Sequence, residues 1–122
     1  MKALAGRRIL IAEDEALIAL ELEGVLQELG CEVVGPVSRV EEVRGCIEAS
    51  NLDGALLDVN LRGEQIFGVL PEAIERGVPL IITSGYADAT MFPESFRTVP
   101  RIAKPFDPAA LRRLCVAVFA NA

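Results

Sequence analysis

The chain has 122 residues, half of them apolar and a quarter charged, with a formal net charge of −6 and no histidine. That length holds one hydrophobic core. The acidic balance argues against nucleic acid or an anionic membrane as partner, and no apolar run nears the roughly 20 residues of a membrane helix. Without histidine there is no histidine-based catalytic triad, and the three cysteines (Cys31, Cys46 and Cys115) lack metal-ligand spacing. They read as small buried hydrophobes of a reducing, cytoplasmic compartment rather than as disulfides. The basic N-terminal segment has too short an apolar stretch, ended by acids, for a signal peptide.

Residues 8–13 predict a buried strand. Residues 15–29 follow with Ile18, Leu22, Val25, Leu26 and Leu29 on one helical face, and Gly30 as a left-handed cap. Cys31 to Gly35 predicts a second strand. Ser38 and Glu41 form a capping-box pair that opens a second helix carrying Val40, Val43 and Ile47. The third strand runs from Gly54 to Asp58, apolar until its last residue. A third helix of about a dozen residues is expected through Ile66, Val69, Leu70 and Ala73, stopped by Gly77. Leu80 to Thr83 is the fourth strand, after Pro79. Residues 87–99 carry only a hint of a helix in Ala87, Met91 and Phe92. A short fifth strand, about 101–103, precedes a last helix with Asp107 as N-cap and Pro108 at its first position. Leu111, Leu114, Cys115 and Val118 form its buried stripe. Val116 and Phe119 fall off that stripe, a possible face for a weak dimer or a partner.

Apolar strands alternating with amphipathic helices predict an α/β doubly wound sandwich of five βα units with a parallel sheet ordered 2-1-3-4-5. Ligands of such sheets bind beyond the carboxyl ends of strands 1 and 3. Four strands run into phosphate-handling residues: Glu13 and Asp14, Asp58, Ser84, and Lys104. Crowded carboxylates call for a hard cation, and Mg²⁺ suits oxygen ligands. Asp14 and Asp58 are the direct-ligand candidates, the Asn60 backbone carbonyl a further one, and Glu13 a ligand through water. Taken alone, Glu13-Asp14-Glu15 fits a solvated loop or a helix cap equally well. Asp58 is more telling, because capping does not explain a carboxylate ending an apolar strand. It is the candidate nucleophile for a phosphoryl group, with the Ser84 hydroxyl and Lys104 ammonium on the phosphoryl oxygens. The Lys104–Pro105 bond is a candidate cis peptide that would aim the ammonium into the cleft.

These residues and their intervals (44 residues from Asp14 to Asp58, 26 more to Ser84, 20 more to Lys104) resemble the receiver domain of two-component response regulators, over essentially the whole chain. The resemblance implies a flavodoxin-like fold, an acidic pair at Glu13 and Asp14, a phosphoacceptor at Asp58, and the hydroxyl and lysine of the family at Ser84 and Lys104. Residues 79–86, PLIITSGY, are similar to the PFxFATGY motif of the FAT GUY receivers, which adds Gly85 and Tyr86 to the phosphate-binding and switch residues. It implies a stand-alone receiver with no output module, phosphorylated by a histidine kinase (HWE or HisKA2 type) or a phosphotransfer protein, and passing its signal to an unknown downstream protein. Two positions depart from the pattern. Arg101 replaces the switching aromatic and reads as a solvated edge charge, while Arg62 replaces a proline. The segment after the fourth strand is therefore expected to rearrange, with Tyr86 involved. Competing readings are a haloacid-dehalogenase-like phosphatase, disfavoured by Asn60 where a general acid should stand, and a receiver-like interaction module that never carries phosphate.

Overall fold

The computed structural model describes residues 2–49, 51–85 and 92–120. Five parallel strands form the sheet: β1 (Arg8–Ala12), β2 (Glu32–Val37), β3 (Gly54–Asp58), β6 (Leu80–Ser84) and β7 (Arg101–Ala103). Their order is β2-β1-β3-β6-β7, the flavodoxin-like 2-1-3-4-5 once the two short strands β4 (Asn60–Leu61) and β5 (Glu64–Gln65) are set aside. Those two pair with each other as an antiparallel hairpin outside the sheet.

Both faces of the sheet are covered, which is why its central strands are apolar throughout instead of alternating. Leu10, Ala55, Leu57 and Ile82 face α2 (Val40–Ala49) and α3 (Leu70–Glu75). Ile9, Ile11, Leu56 and Ile81 face α1 (Ala16–Glu28) and α4 (Pro108–Phe119). Among the described residues no helix is long and apolar enough to cross a membrane.

Several local expectations are corrected. β2 runs on to Val37 through a cis Gly35–Pro36 bond. It lies at the edge of the sheet, where a proline forfeits no ladder bond, and its register slips between Leu10 and Ala12. The Ser38 backbone N–H is taken by Glu42 at 3.2 Å, not by Glu41, because the helix starts one residue later than a Ser38 cap requires. The third helix is short. Residues 60–65 make the hairpin, Ile66–Val69 a 3₁₀ turn, and only Leu70–Glu75 is α-helical.

Phe119 does not form an outer face. It is fully buried, with its ring packed on Gly54, where a Cβ would lie 2.4 Å from Phe119 Cδ1. Gly54 starts its strand because that close approach leaves no room for a side chain. Asp107 caps α4 as expected, accepting from the Ala110 N–H at 3.2 Å. Of the hinted helix after the fourth strand, Ala87 and Met91 lie outside the described residues, and Phe92 is buried. Residues 94–96 make a 3₁₀ turn.

Candidate functional site

The carboxyl ends of β1 and β3 lie side by side, so residues 44 positions apart in the chain meet at one edge. Glu13, Asp14 and Asp58 each present a carboxylate oxygen, all within 4.8 Å of one another. An oxygen-only set of three acids fits a hard divalent cation and suits no soft metal. Asp58 ends β3 nearly sealed from solvent, Glu13 is buried, and Asp14 is exposed. Asp14, Glu15, Asp58, Asn60, Gly85 and Lys104 line an open cleft of about 440 Å³.

Lys104 follows β7, and its peptide bond to Pro105 is cis. Its Nζ donates to Asp58 Oδ2 at 2.8 Å and lies 2.8 Å from Glu13 Oε1. Burial works against the ammonium, but the hydrogen bonds and charges of Asp58 and Glu13 outweigh it, so its pKa is raised. The Lys104 backbone N–H donates to the Ser84 carbonyl at 2.7 Å, which brings Ser84, buried at the end of β6, beside the lysine. The Asn60 N–H donates to Asp58 Oδ1 at 3.2 Å. Of the residues singled out in the sequence, Glu13, Asp14, Asp58, Asn60, Gly85 and Lys104 therefore meet at the cleft, with Ser84 at its edge. Tyr86 lies outside the described residues.

Burial pushes the Glu13 carboxyl up to about 7, against the lowering effect of Lys104 and of the Glu15 N–H that donates to Oε2 at 3.1 Å. A raised carboxyl holds its proton more tightly in the folded state. Its contribution to stability is thus intact below the ordinary glutamate value of 4.5 and lost as pH climbs towards about 7. In chelator-treated protein, denaturant midpoints should fall across that window, and Glu13→Gln should flatten the fall. A slope unchanged by the substitution would place the titration elsewhere.

Two features were missed in the sequence. The Arg62 N–H donates to Asp14 Oδ2 at 2.9 Å, from a hairpin that the periodicity of residues 66–73 had disguised as helix. Arg101, moreover, lies half-buried on the edge strand β7, and its charge is engaged there. Its guanidinium lies 5.2 Å from the centre of the Phe92 ring and donates to the Arg97 carbonyl at 2.9 Å. Phe67 meets Phe92 edge-on at 5.3 Å and lies parallel to Phe96 at 6.1 Å. A basic residue within reach of phenylalanines at 92 and 96 was the only available signal.

No family model matches the chain. The phyllosphere-induced regulator PhyR of Methylorubrum extorquens is 35% identical over 106 residues, which cover 83% of this chain and 39% of that protein. The chain spans about two-fifths of the length of the curated relatives it matches. SdrG from Sphingomonas melonis Fr1, solved in solution, superposes with a TM-score of 0.80 at 36% identity, covering 96% of this chain and 98% of that one. A response regulator receiver protein from Sinorhizobium medicae superposes at 0.80 with 26% identity over 96% of both chains. The receiver domain of the sensor histidine kinase PA1611 from Pseudomonas aeruginosa, which has a magnesium ion coordinated in its active-site cleft, superposes at 0.74 with 25% identity, covering 97% of this chain and 100% of that one.

Proposed function

The chain belongs to the response-regulator receiver family, and on that premise we propose that it is a phosphoacceptor switch, taking a phosphoryl group on Asp58 from a histidine kinase or phosphotransfer protein. The observation that carries this is the contact of Lys104 Nζ with Asp58 Oδ2, at the end of an apolar strand and beside two more acids. Asp14, Asp58, the Asn60 carbonyl and, through water, Glu13 would hold a Mg²⁺. When bound, the ion neutralises charge on the acids and on the phosphoryl oxygens.

The chain's own residues do the rest. An Asp58 carboxylate oxygen forms a bond to phosphorus as the donor's P–N bond breaks, and the bonding pair leaves with the imidazole nitrogen. The product carries about 1.5 to 2 negative charges on its phosphoryl group. Lys104, already paired with Asp58, shifts to a phosphoryl oxygen, and the Ser84 hydroxyl donates to another. Lys104 and Ser84 are joined through the backbone to β6 and β7, so their movement biases the segment between those strands. The Phe67, Phe92, Phe96 and Arg101 group ties that segment to the turn before α3, and gives a route to a protein-binding surface without a switching aromatic at position 101.

Incubation with acetyl phosphate should add one phosphoryl group to the intact protein when Mg²⁺ is present and none after chelation. No gain in mass under either condition would sink the reading. A protein donor should need more than the cleft. Leu17 and Leu20 are 82% and 62% exposed on α1, whose Ile18 and Glu21 line a neighbouring pocket that shares Glu15, Gly85 and Lys104 with the cleft. Exposed leucines beside a reaction site suit a docking protein. The double variant Leu17→Ala/Leu20→Ala should slow transfer from a phosphorylated histidine partner about tenfold, the worth of some 1.4 kcal/mol of contact. Labelling by acetyl phosphate should be unchanged; equal slowing with both donors would place the leucines in the reaction site itself.

A further inference from the structure

The hairpin that follows β3 spends a disfavoured conformation at its tip. Leu61 pairs with Glu64, leaving Arg62 and Gly63 as a two-residue turn with φ of 51° and 86°, the left-handed pair of a type I′ turn. Arg62 is the one non-glycine with positive φ among the described residues, and side chains are seldom found there. Such outliers persist where something else holds them. Here the left-handed turn aims the Arg62 N–H at Asp14 Oδ2, 2.9 Å away and 48 residues distant in sequence. The turn is braced from within, because Asn60 Oδ1 accepts the Gly63 N–H at 2.8 Å. Its base is tied down by the Ile66 N–H on the Val59 carbonyl at 2.9 Å, and the Asn60 N–H continues to Asp58.

Asp14 has reason to need a tether. It is exposed and shares the edge with two other carboxylates, so repulsion favours rotamers that carry it into solvent and away from Asp58. A donor on one oxygen holds the side chain facing its neighbours and leaves the other oxygen open.

We infer that the Arg62–Gly63 turn is a positioning element of the divalent-ion site: it holds Asp14 through a main-chain N–H, and ion affinity depends on the turn's left-handed geometry instead of on the Arg62 guanidinium. This rests on the reading that Glu13, Asp14 and Asp58 bind a divalent cation. Hydrogen-bond partners of metal ligands typically change affinity about 10- to 100-fold when removed.

The test is Mg²⁺ titration of the whole chain by calorimetry, with Mn²⁺ as a second probe, beside thermal unfolding and amide exchange at position 62. Arg62→Pro deletes the N–H outright. Gly63→Val places a β-branched residue at φ 86° in open space, so its penalty is conformational and not steric. Both should weaken binding about tenfold or more, while unfolding stays cooperative, with a midpoint lowered only by the local strain of the turn. Arg62→Asn removes the guanidinium but creates the Asn-Gly pair that type I′ turns prefer, and it should bind within about twofold of wild type, as a retained turn demands. Undiminished binding by Arg62→Pro overturns the inference. Weakening by Arg62→Asn as large as that by Gly63→Val also overturns it, since the side chain would then carry the effect. If the wild type shows no saturable binding of either ion, the cation-binding reading itself has failed, an outcome distinct from both.

Discussion

Asp58→Asn is expected to accept no measurable phosphoryl group, from acetyl phosphate or from a phosphorylated histidine partner, while remaining folded. The amide has no anionic oxygen to attack phosphorus, and removal of a nucleophile typically costs at least roughly a thousandfold in rate. Among the described residues no neighbouring acid is placed to substitute. Glu13 is buried and paired with Lys104, and Asp14 is held by the Arg62 N–H at the outer rim. Stability should be kept or slightly raised, because the change removes one of three crowded like charges and leaves Lys104 its partner Glu13. Intact-mass measurement over a time course checks the first half, and a urea titration the second. Labelling of the variant at the wild-type rate would move the acceptor to another residue.

Phe119→Ala should be the most destabilising single truncation on the α4 side of the sheet, at about 3–5 kcal/mol. The ring is wholly buried and lies against the Gly54 backbone, with Ile9 packed alongside. The floor beneath the ring is strand backbone, which cannot move in to fill the hole. Domains of this size have roughly 5–15 kcal/mol in total, so the variant should sit near the edge of folding at physiological temperature. The reciprocal change, Gly54→Val, should be comparably damaging, because its Cβ would fall 2.4 Å from the ring. Chemical denaturation of both variants measures the losses. A cost below about 1 kcal/mol for Phe119→Ala would contradict complete burial.

The site acids were legible because each ends an apolar run, and a charge at the end of a buried strand has few structural reasons to be there. Strand order followed from the same alternation, since right-handed crossovers leave few ways to cover both faces of a parallel sheet. The start of α4 was equally local. Asp107 accepts from the N–H three residues on, so neighbouring positions contain the whole interaction. The third helix failed for an instructive reason. Ile66, Val69 and Leu70 recur at spacings that a 3₁₀ turn and an α-helix share, and apolar periodicity does not separate the two.

What the chain's order of residues determined by itself was the βα alternation, the identity of the acids, hydroxyl and lysine at the strand ends, and with them the receiver family. Tertiary structure alone decided the rest: the burial of Phe119 over Gly54, the clasp of Arg101 on Phe92, and the hairpin whose Arg62 N–H holds Asp14. Strand-end chemistry and helix caps are set by residues a few positions apart, whereas these contacts join segments whose meeting depends on how both faces of the sheet are packed.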